Sequence, residues 1–364
     1  MDNNTSNGNV NPDIRAVIFD LDGTLLNTEQ VTRDILKNFL VKYGKVPDAE
    51  KDRKRLGMAN KEAAIGVVND YELPLTPEQF IEEIMPMYHG LWQKAKPLPG
   101  VNRLMRHLRK HGVPFALASN SVTKNVNAKI SLQEGWKENF DAILGSDQVK
   151  SGKPSPDIFL EAANRMNVDP IHCFVIEDSV VGVKAGKAAG MKVLAVPSLQ
   201  VERQLYSIAD TILHSLLEFQ PELWGLPQFG DWIDNTLPIE PIHVLGLYSN
   251  GHLLECEDDR WTADFSDQIW GLYIGWARVD GHDVYNKAVV SVGWDLDCCT
   301  SKRKIQVCIV GRTEDDTLDS KMQLLLVGFI RRSCYAGNTP KNLEILEEDK
   351  TAANISLDLS IFSL

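Results

Sequence analysis

Short apolar runs recur along roughly the first 215 residues of the chain, and they are rich in β-branched side chains. Runs of this length with few polar positions are typical of strands that are buried in a sheet. They predict six strands, at residues 16–19, 114–118, 142–145, 173–176, 192–196 and 211–213.

Helical patterns lie between these runs. In 100–112, apolar residues recur at i, i+3, i+4 and i+7. A second pattern occupies 155–168, where Ser155 is the predicted N-cap before Pro156 and Asp157. Strands that alternate with helices favour a parallel, doubly wound α/β sheet, which we predict for residues 15–220.

One segment of this region has no strand pattern. From residue 29 to about 96 the pattern is helical, as in "VTRDILKNFLVKYG" and "TPEQFIEEIMPMYHGLWQKA". The segment therefore indicates a helical insertion after the first strand. We expect a cap, or lid, at about 30–96.

The chain changes character beyond residue 220. The stretch "PELWGLPQFGDWIDNTLPIEP" is dense in Pro, Gly and Trp, which favours a linker at 221–241. After it, strand-like runs separated by turn residues predict a small antiparallel β-barrel over 242–364. The runs lie at 243–249, 270–279, 287–294, 303–311 and 323–332, and a helical segment follows at 340–356.

The length of the chain limits the number of domains, and its charge limits the class of partner. At 364 residues the chain is long enough for two cores, because single cores stop growing at roughly 250 to 300 residues. The formal net charge of -12 argues against nucleic acid or an anionic membrane surface as a partner. An anionic substrate would therefore need a local cation to hold it.

The cysteines and the N-terminus point to an ordinary intracellular chain. The six cysteines, at 173, 256, 298, 299, 308 and 334, form no CxxC pair and match no zinc-site spacing, so we interpret them as reduced thiols. Residues 1–14 lack the features of a signal peptide and are expected to form a disordered polar tail. No apolar run approaches the roughly 20 residues that span a bilayer. We expect a cytoplasmic protein.

Two carboxylates stand where the first predicted strand ends, in "AVIFDLDGTLLNTE". In open α/β sheets ligands bind beyond the carboxyl ends of the strands, and residues two apart in extended chain point the same way. One carboxylate can attack phosphorus to give an aspartyl-phosphate, and its partner can protonate the leaving group and then activate water. A simple turn with solvated carboxylates would have the same four residues, "DLDG" at 20–23.

Three further segments follow other predicted strands and supply complementary chemistry. Ser119 and Asn120 can donate hydrogen bonds to phosphate oxygens, and Lys153 supplies a cation. Glu177 and Asp178 are hard oxygen ligands suited to Mg²⁺. Each segment alone has an ordinary explanation, as a turn, a surface lysine or an acidic loop. Together the segments provide the parts that phosphoryl transfer needs.

The order and spacing of the four segments resemble the haloacid dehalogenase superfamily of phosphatases, over about residues 15–215. The resemblance implies that Asp20 is the nucleophile and Asp22 the general acid and base. It also implies that Ser119, Asn120 and Lys153 bind the transferring phosphoryl group.

A Mg²⁺ cofactor is part of the same resemblance. Its implied ligands are Asp20, the backbone carbonyl of Asp22, and Asp178, with Glu177 acting in support or through water. The segment at 30–96 corresponds to the mobile cap of that superfamily, which closes over the substrate and excludes water.

The chain from about residue 240 resembles riboflavin kinases in "GLYIGWARV", "KAVVSVGW" and "LLLVGFIRR". The whole arrangement is similar to the plant family that joins a riboflavin kinase to an FMN phosphatase. Two departures concern the kinase chemistry: the nucleotide-binding stretch is shortened to a remnant around Thr262, and Gln306 stands in place of the catalytic glutamate. An amide cannot act as a general base, so we predict that kinase activity is lost or negligible.

The sequence thus predicts a Mg²⁺-dependent phosphomonoester hydrolase that acts through an aspartyl-phosphate. Its expected partner is a small phosphorylated metabolite, and the resemblance favours FMN. Three alternatives remain open: a phosphatase for sugar or glycerol phosphates, a bifunctional enzyme that keeps riboflavin kinase activity, and a non-catalytic flavin-binding protein.

Overall fold

The computed structural model describes most of the chain. The described residues are 13–48, 51, 58, 60–88, 90–197, 203–255, 265–280, 284–295, 302–311, 320–332, 335–336, 339–340 and 344–363. Most of the predicted N-terminal tail, and Thr262, therefore lie outside the described residues. Within the described part, no helix is both long and apolar enough to cross a membrane.

The N-terminal part is built on a six-stranded parallel sheet. Its strands are β1 (Ala16–Phe19), β2 (Phe115–Ala118), β3 (Ala142–Leu144), β4 (Cys173–Glu177), β5 (Lys192–Ala195) and β6 (Thr211–Ile212). They lie in the order β3-β2-β1-β4-β5-β6. Along β1, Val17 and Phe19 enter one core and Ala16 and Ile18 enter the other, because successive side chains of a strand point to opposite faces. The predicted doubly wound sheet is confirmed.

Among the described residues, eight helices lie between these strands. They are α1 (Thr28–Lys42), α2 (Asn60–Asp70), α3 (Pro77–Tyr88), α4 (Val101–Lys110), α5 (Thr123–Ile130), α6 (Trp136–Asn139), α7 (Asp157–Arg165) and α8 (Val180–Ala188). The five from α4 onward cover the two faces of the sheet. The prediction that Ser155 is an N-cap is wrong, since Pro156 holds that position. Ser155 lies one residue too early, and its hydroxyl instead donates to the Asp157 carboxylate at 2.7 Å.

The segment between β1 and β2 is helical, as predicted. Its helices α1, α2 and α3 enclose an apolar core of their own, in which Phe39 meets Phe80 edge to face with ring centroids 5.0 Å apart. Because this core is separate from those of the sheet, the three helices form a distinct unit. Its role as a mobile cap stays a prediction.

The C-terminal part forms a closed six-stranded antiparallel barrel, which confirms the predicted architecture. Its strands are β7 (Leu237–Ser249), β8 (His252–Glu255), β9 (Gly271–Val279), β10 (Asn286–Asp295), β11 (Lys302–Ile309) and β12 (Ser320–Arg331). They join in the order β10-β11-β8-β7-β12-β9, and β9 pairs with β10 to close the barrel.

Two boundaries in this part differ from the sequence prediction. Strand β7 begins at Leu237, inside the range expected to be a linker, and its Pro238 pairs with Gly328 of β12. The prolines of "LPIEP" hid this strand start, because proline is uncommon inside sheets. The terminal helix α9 (Glu347–Ser356) begins later than predicted, and Pro340, where the predicted helix starts, lies instead in β14 (Thr339–Pro340), which pairs with β13 (Tyr335–Ala336).

Candidate active site

The predicted chemical groups converge at the carboxyl ends of the parallel strands. Asp20 follows β1, Ser119 follows β2, and Glu177 and Asp178 lie at the end of β4. These three strands are neighbours in the sheet, and Lys153 reaches the same edge from the loop after β3. The topology of the sheet therefore creates the site.

Lys153 is the centre of this cluster. Its side chain is only 1% exposed, and its Nζ lies 2.6 Å from Asp20 Oδ1 and 2.7 Å from Glu177 Oε1. Burial alone would lower the pKa of Lys153, but the two carboxylates raise it well above its usual value. The ammonium group therefore stays charged and joins the carboxylates of two strands.

Asn120 fixes the loop that carries Lys153. Its Oδ1 accepts a hydrogen bond from the Lys153 backbone N–H at 2.8 Å, and its Nδ2 donates to the Lys153 carbonyl at 3.2 Å. The predicted phosphate-binding residue Asn120 thus has a clear structural task next to the site. It also lines the cavity described below.

Asp20 is buried beside this ammonium group. Burial raises the pKa of Asp20, and the charge of Lys153 opposes that effect by favouring the carboxylate. The charges of Glu177 and Asp22 raise the pKa further. The site therefore concentrates negative charge and needs cations to keep Asp20 ionised.

Both carboxylate oxygens of Glu177 accept hydrogen bonds from protein groups. Its Oε1 accepts from Lys153, and its Oε2 accepts from the backbone N–H and the hydroxyl of Ser179 at 2.7 and 2.9 Å. A Cβ atom at Gly182 would overlap the Glu177 carboxyl group, so this close packing requires glycine there. These contacts favour a supporting role for Glu177.

The acidic residues fit a divalent cation. One oxygen from each of Asp20, Glu177 and Asp178 can lie within 4.8 Å of the others. Hard carboxylate oxygens around a buried point are the ligands that Mg²⁺ prefers. Tyr206, which the sequence did not single out, donates its hydroxyl to the Asp178 carbonyl at 2.7 Å and fixes that backbone.

A second buried lysine faces the other carboxylate. Lys129 Nζ lies 2.7 and 2.8 Å from the two oxygens of Asp22 and 2.9 Å from Ser121 Oγ. Ser121 and Ser119 donate to Asp22 Oδ2 at 3.1 and 3.4 Å. Burial by itself would raise the pKa of Asp22, but the Lys129 ammonium lowers it overall.

The sequence analysis missed Lys129, although a signal was present. In α5 the buried residues are Val126, Lys129 and Ile130, so the lysine lies on the apolar face of the helix. A lysine at such a position needs a buried anion as a partner. Only the fold shows that the anion is Asp22.

A cavity of about 340 Å³ opens over the carboxylates. Asp20, Asp22, Ser119 and Lys129 are among its lining residues. The helical segment contributes Thr28, Glu29 and Thr32 together with apolar and aromatic side chains, including Phe80, Ile81, Ile84, Met85, Tyr88 and Trp92. The rings of Tyr88 and Trp92 stack with centroids 5.4 Å apart, and Lys129 Nζ lies 4.9 Å from the centre of the Trp92 ring.

Gln306, which the sequence analysis compares with the catalytic glutamate of riboflavin kinases, lies in the barrel. Gln306 is exposed on β11, where it pairs with Ser291 of β10 and His252 of β8. Two tryptophans of the barrel make contacts within the protein. Trp270 is buried against His214, and Trp276 donates its Nε1–H to the Phe362 carbonyl at 2.8 Å.

Comparison with known proteins agrees with this architecture. Residues 14–190 match the family model described as haloacid dehalogenase-like hydrolase. The chain is 44% identical over 358 residues to the bifunctional riboflavin kinase/FMN phosphatase of Arabidopsis thaliana, with 96% of this chain and 94% of that protein covered. It is 38% identical to mitochondrial (DL)-glycerol-3-phosphatase 1 of the same plant, over 60% of this chain and 76% of the relative.

A solved structure shows the same likeness. CbbY from Rhodobacter sphaeroides, in complex with phosphate, is 28% identical and superposes with a TM-score of 0.50. The match covers 56% of this chain and 96% of that structure.

The chain belongs to the haloacid dehalogenase-like hydrolases. It is a phosphatase of that family joined to a riboflavin kinase-like part, as the sequence predicted.

Proposed function

We propose that this enzyme hydrolyses FMN to riboflavin and inorganic phosphate through an aspartyl-phosphate on Asp20. One observation carries the proposal: Lys153 joins Asp20 and Glu177 next to a cavity that is also lined by the stacked rings of Tyr88 and Trp92 and by apolar side chains of α3. The bifunctional riboflavin kinase/FMN phosphatase of Arabidopsis thaliana, which aligns over nearly the whole chain, supports the choice of substrate.

In the first step Asp20 attacks the phosphorus atom. The bond between phosphorus and the ribityl oxygen breaks, and Asp22 gives a proton to that leaving oxygen. Ser119 and Lys153 bind phosphoryl oxygens. A phosphate dianion in the cavity also offers Lys129 a second anionic partner, so that Asp22 can carry the proton this step requires.

In the second step water cleaves the aspartyl-phosphate. Asp22, now a carboxylate, takes a proton from the water as it attacks phosphorus, and Asp20 leaves as a carboxylate. The Asp22–Lys129 contact favours the ionised form of Asp22 that this step needs. Inorganic phosphate then departs and the site returns to its starting state.

Mg²⁺ suits the donor set of this site. Asp20, Asp178 and the Asp22 carbonyl would hold it, while Glu177 supports them through Lys153 and Ser179. When bound, the ion offsets the repulsion between the phosphate dianion and the carboxylate nucleophile.

The lining of the cavity supports a planar, aromatic substrate. The stacked pair of Tyr88 and Trp92, with the apolar side chains of α3, offers a surface for a flavin ring. Glycerol phosphate has no apolar body to bury there. The related glycerol-3-phosphatase nevertheless keeps small phosphates as the second candidate class.

A panel of phosphate-release assays tests the substrate. We expect kcat/KM with Mg²⁺ to be highest for FMN and at least ten-fold lower for glycerol 3-phosphate and for sugar phosphates. Asp20→Asn should abolish turnover of every substrate. If glycerol 3-phosphate is preferred, FMN is not the substrate, and activity that survives in Asp20→Asn would mean that these carboxylates are not the active centre.

We infer, further, that the barrel lacks riboflavin kinase activity, because Gln306 cannot replace a general base. The assay is best run in the Asp20→Asn variant, where any FMN formed would not be hydrolysed. With riboflavin, ATP and Mg²⁺ we expect no FMN above the enzyme-free control. Clear FMN synthesis would restore the bifunctional alternative. A cytoplasmic location stays a prediction from the N-terminal sequence.

A further inference from the structure

A side chain of the barrel part reaches the catalytic turn of the phosphatase part. Gln268 precedes β9 and is only 2% exposed. Its Nε2 lies 3.2 Å from the Gly23 carbonyl oxygen and 3.2 Å from the Val196 carbonyl oxygen. One primary amide thus supplies its two N–H groups to two buried carbonyls.

Both carbonyls belong to backbone that shapes the active site. Gly23 directly follows Asp22 in the turn after β1. Val196 directly follows β5, and its N–H donates to the Glu177 carbonyl at 2.7 Å. Gln268 therefore ties the turn that carries both aspartates to the backbone beside Glu177.

The turn is compact, so that a shift at Gly23 would spread. The Gly23 N–H bonds the Leu26 carbonyl at 2.9 Å, and the Leu25 and Leu26 N–H groups both bond the Leu21 carbonyl at 3.0 Å. The next residue, Thr24, reaches Asp178 with its hydroxyl at 3.5 Å. A displacement of Gly23 would therefore be passed to its neighbours Asp22 and Thr24.

The barrel holds Gln268 firmly. Arg303 of β11 donates to the carbonyls of Phe265 and Ser266 and to Asp267 Oδ1, at 3.3, 3.1 and 3.0 Å. This guanidinium anchors the three residues directly before Gln268. On the other side of it, Ile269 and Trp270 are buried.

We propose that the barrel braces the phosphatase site and that Gln268 is its positioning residue. The inference rests on the proposed phosphatase mechanism and gives the riboflavin kinase-like part a task that needs no kinase chemistry. Gln268 touches no substrate, and it acts by fixing the backbone that places Asp22. Small misplacements of catalytic groups are costly, on the order of 100-fold in rate for about 1 Å.

Three full-length variants test the brace. Gln268→Ala removes both hydrogen bonds, and Gln268→Glu keeps the shape but turns a carboxylate toward two carbonyl oxygens. The matched control is Asp231→Asn, which weakens the contact between Arg103 of α4 and the segment that leads into the barrel, without touching the turn. Melting temperatures establish that each variant is folded.

We expect the Gln268 variants to lose about ten-fold or more in kcat while KM changes less than about two-fold. Hydrolysis of both FMN and p-nitrophenyl phosphate should fall together, because the turn serves every substrate. Asp231→Asn should keep kcat within about two-fold of wild type. An equal loss of kcat in all three variants would contradict the brace, because it would show that loosening any contact near the barrel has the same effect.

Hydrogen–deuterium exchange gives a readout that does not depend on turnover. Amides of residues 21–26 should exchange faster in Gln268→Ala than in wild type, and unchanged exchange overturns the brace. If the wild type does not hydrolyse FMN but residues 21–26 exchange faster in Gln268→Ala, the proposed function is wrong and the brace is supported. If the wild type hydrolyses FMN and Gln268→Ala has the same kcat, the brace is wrong and the proposed function stands.

Discussion

At the scale of single residues, the two lysines divide the work of the site. Lys153 pairs with Asp20, the proposed nucleophile, whereas Lys129 pairs with Asp22, the proposed acid and base. The loop position of Lys153 made it visible in the sequence. Lys129 is separated from Asp22 by 107 positions, and only the packing of α5 beneath the cavity brings the two together.

Replacing Lys129 tests its contribution. In Lys129→Met the Asp22 carboxylate loses its ammonium partner and the cavity loses a cation for the substrate phosphate. We expect kcat/KM for phosphate release to fall at least ten-fold, which corresponds to about 1.4 kcal/mol in transition-state free energy.

The control for this prediction lies in the same helix. Lys124 of α5 is exposed and lies outside the cavity lining, so Lys124→Met should retain the wild-type kcat/KM. Equal values for Lys129→Met and wild type would show that Asp22 does not depend on this lysine.

At the scale of elements, the ends of the strands supply chemistry and the inserted helices supply shape. Trp92 lies in a short 3-10 helix, Trp92–Lys94, just after α3, and stacks on Tyr88. This pair lines the cavity and offers an aromatic surface on which the body of a flavin substrate can pack.

Trp92→Ala should separate the two substrate classes. We expect KM for FMN to rise about ten-fold, since one aromatic stacking contact contributes about 0.5–1.5 kcal/mol beyond its buried area. Steady-state kinetics on glycerol 3-phosphate in the same variant provide the control, with KM changed less than about two-fold. A proportional loss on both substrates would assign Trp92 to general folding of the cap.

At the scale of the whole molecule, an ion pair joins the phosphatase part to the segment that leads into the barrel. Arg103 of α4, with 10% of its side chain exposed, bonds Asp231, whose side chain is 43% exposed, at 2.7 Å. Burial would raise the pKa of Asp231, but the hydrogen bond and charge of Arg103 lower it overall. The folded state therefore binds the Asp231 proton less tightly than the unfolded state does.

This shift predicts a pH-dependent stability. The contribution of Asp231 is present above its unfolded pKa, about 3.9, and is lost as the pH falls through its lower folded value. At pH 7 the melting temperature of the wild type should be higher than that of Asp231→Asn. The difference should be small, because such exposed pairs contribute about 1 kcal/mol or less. The difference should shrink as the pH falls from 5 to 3.

Thermal melts at pH 7, 5 and 3 check this expectation. Asp358→Asn is a suitable comparison, because Asp358 pairs with Lys287 but its side chain is 72% exposed. A margin for Asp231→Asn that stays constant down to pH 3 would contradict the sign of the shift.

Particular residues show how far sequence reasoning reaches. Asp20, Lys153, Glu177 and Asp178 were identified from their places after predicted strands, and the sheet brings them together. Lys129, Tyr206 and Gln268 were missed, because each acts through a partner that lies far away along the chain. Ser155 was misassigned because capping depends on a single residue of register.

The sequence by itself determined the two architectures and the chemistry of the strand ends, because these follow from local periodicity and residue type. The tertiary structure alone decided which cation faces which carboxylate, which side chains of the helical segment line the same cavity, and that a barrel residue bonds the turn after β1. Such contacts join residues separated by 72 to 245 positions, as for Gln268, and no local pattern encodes them.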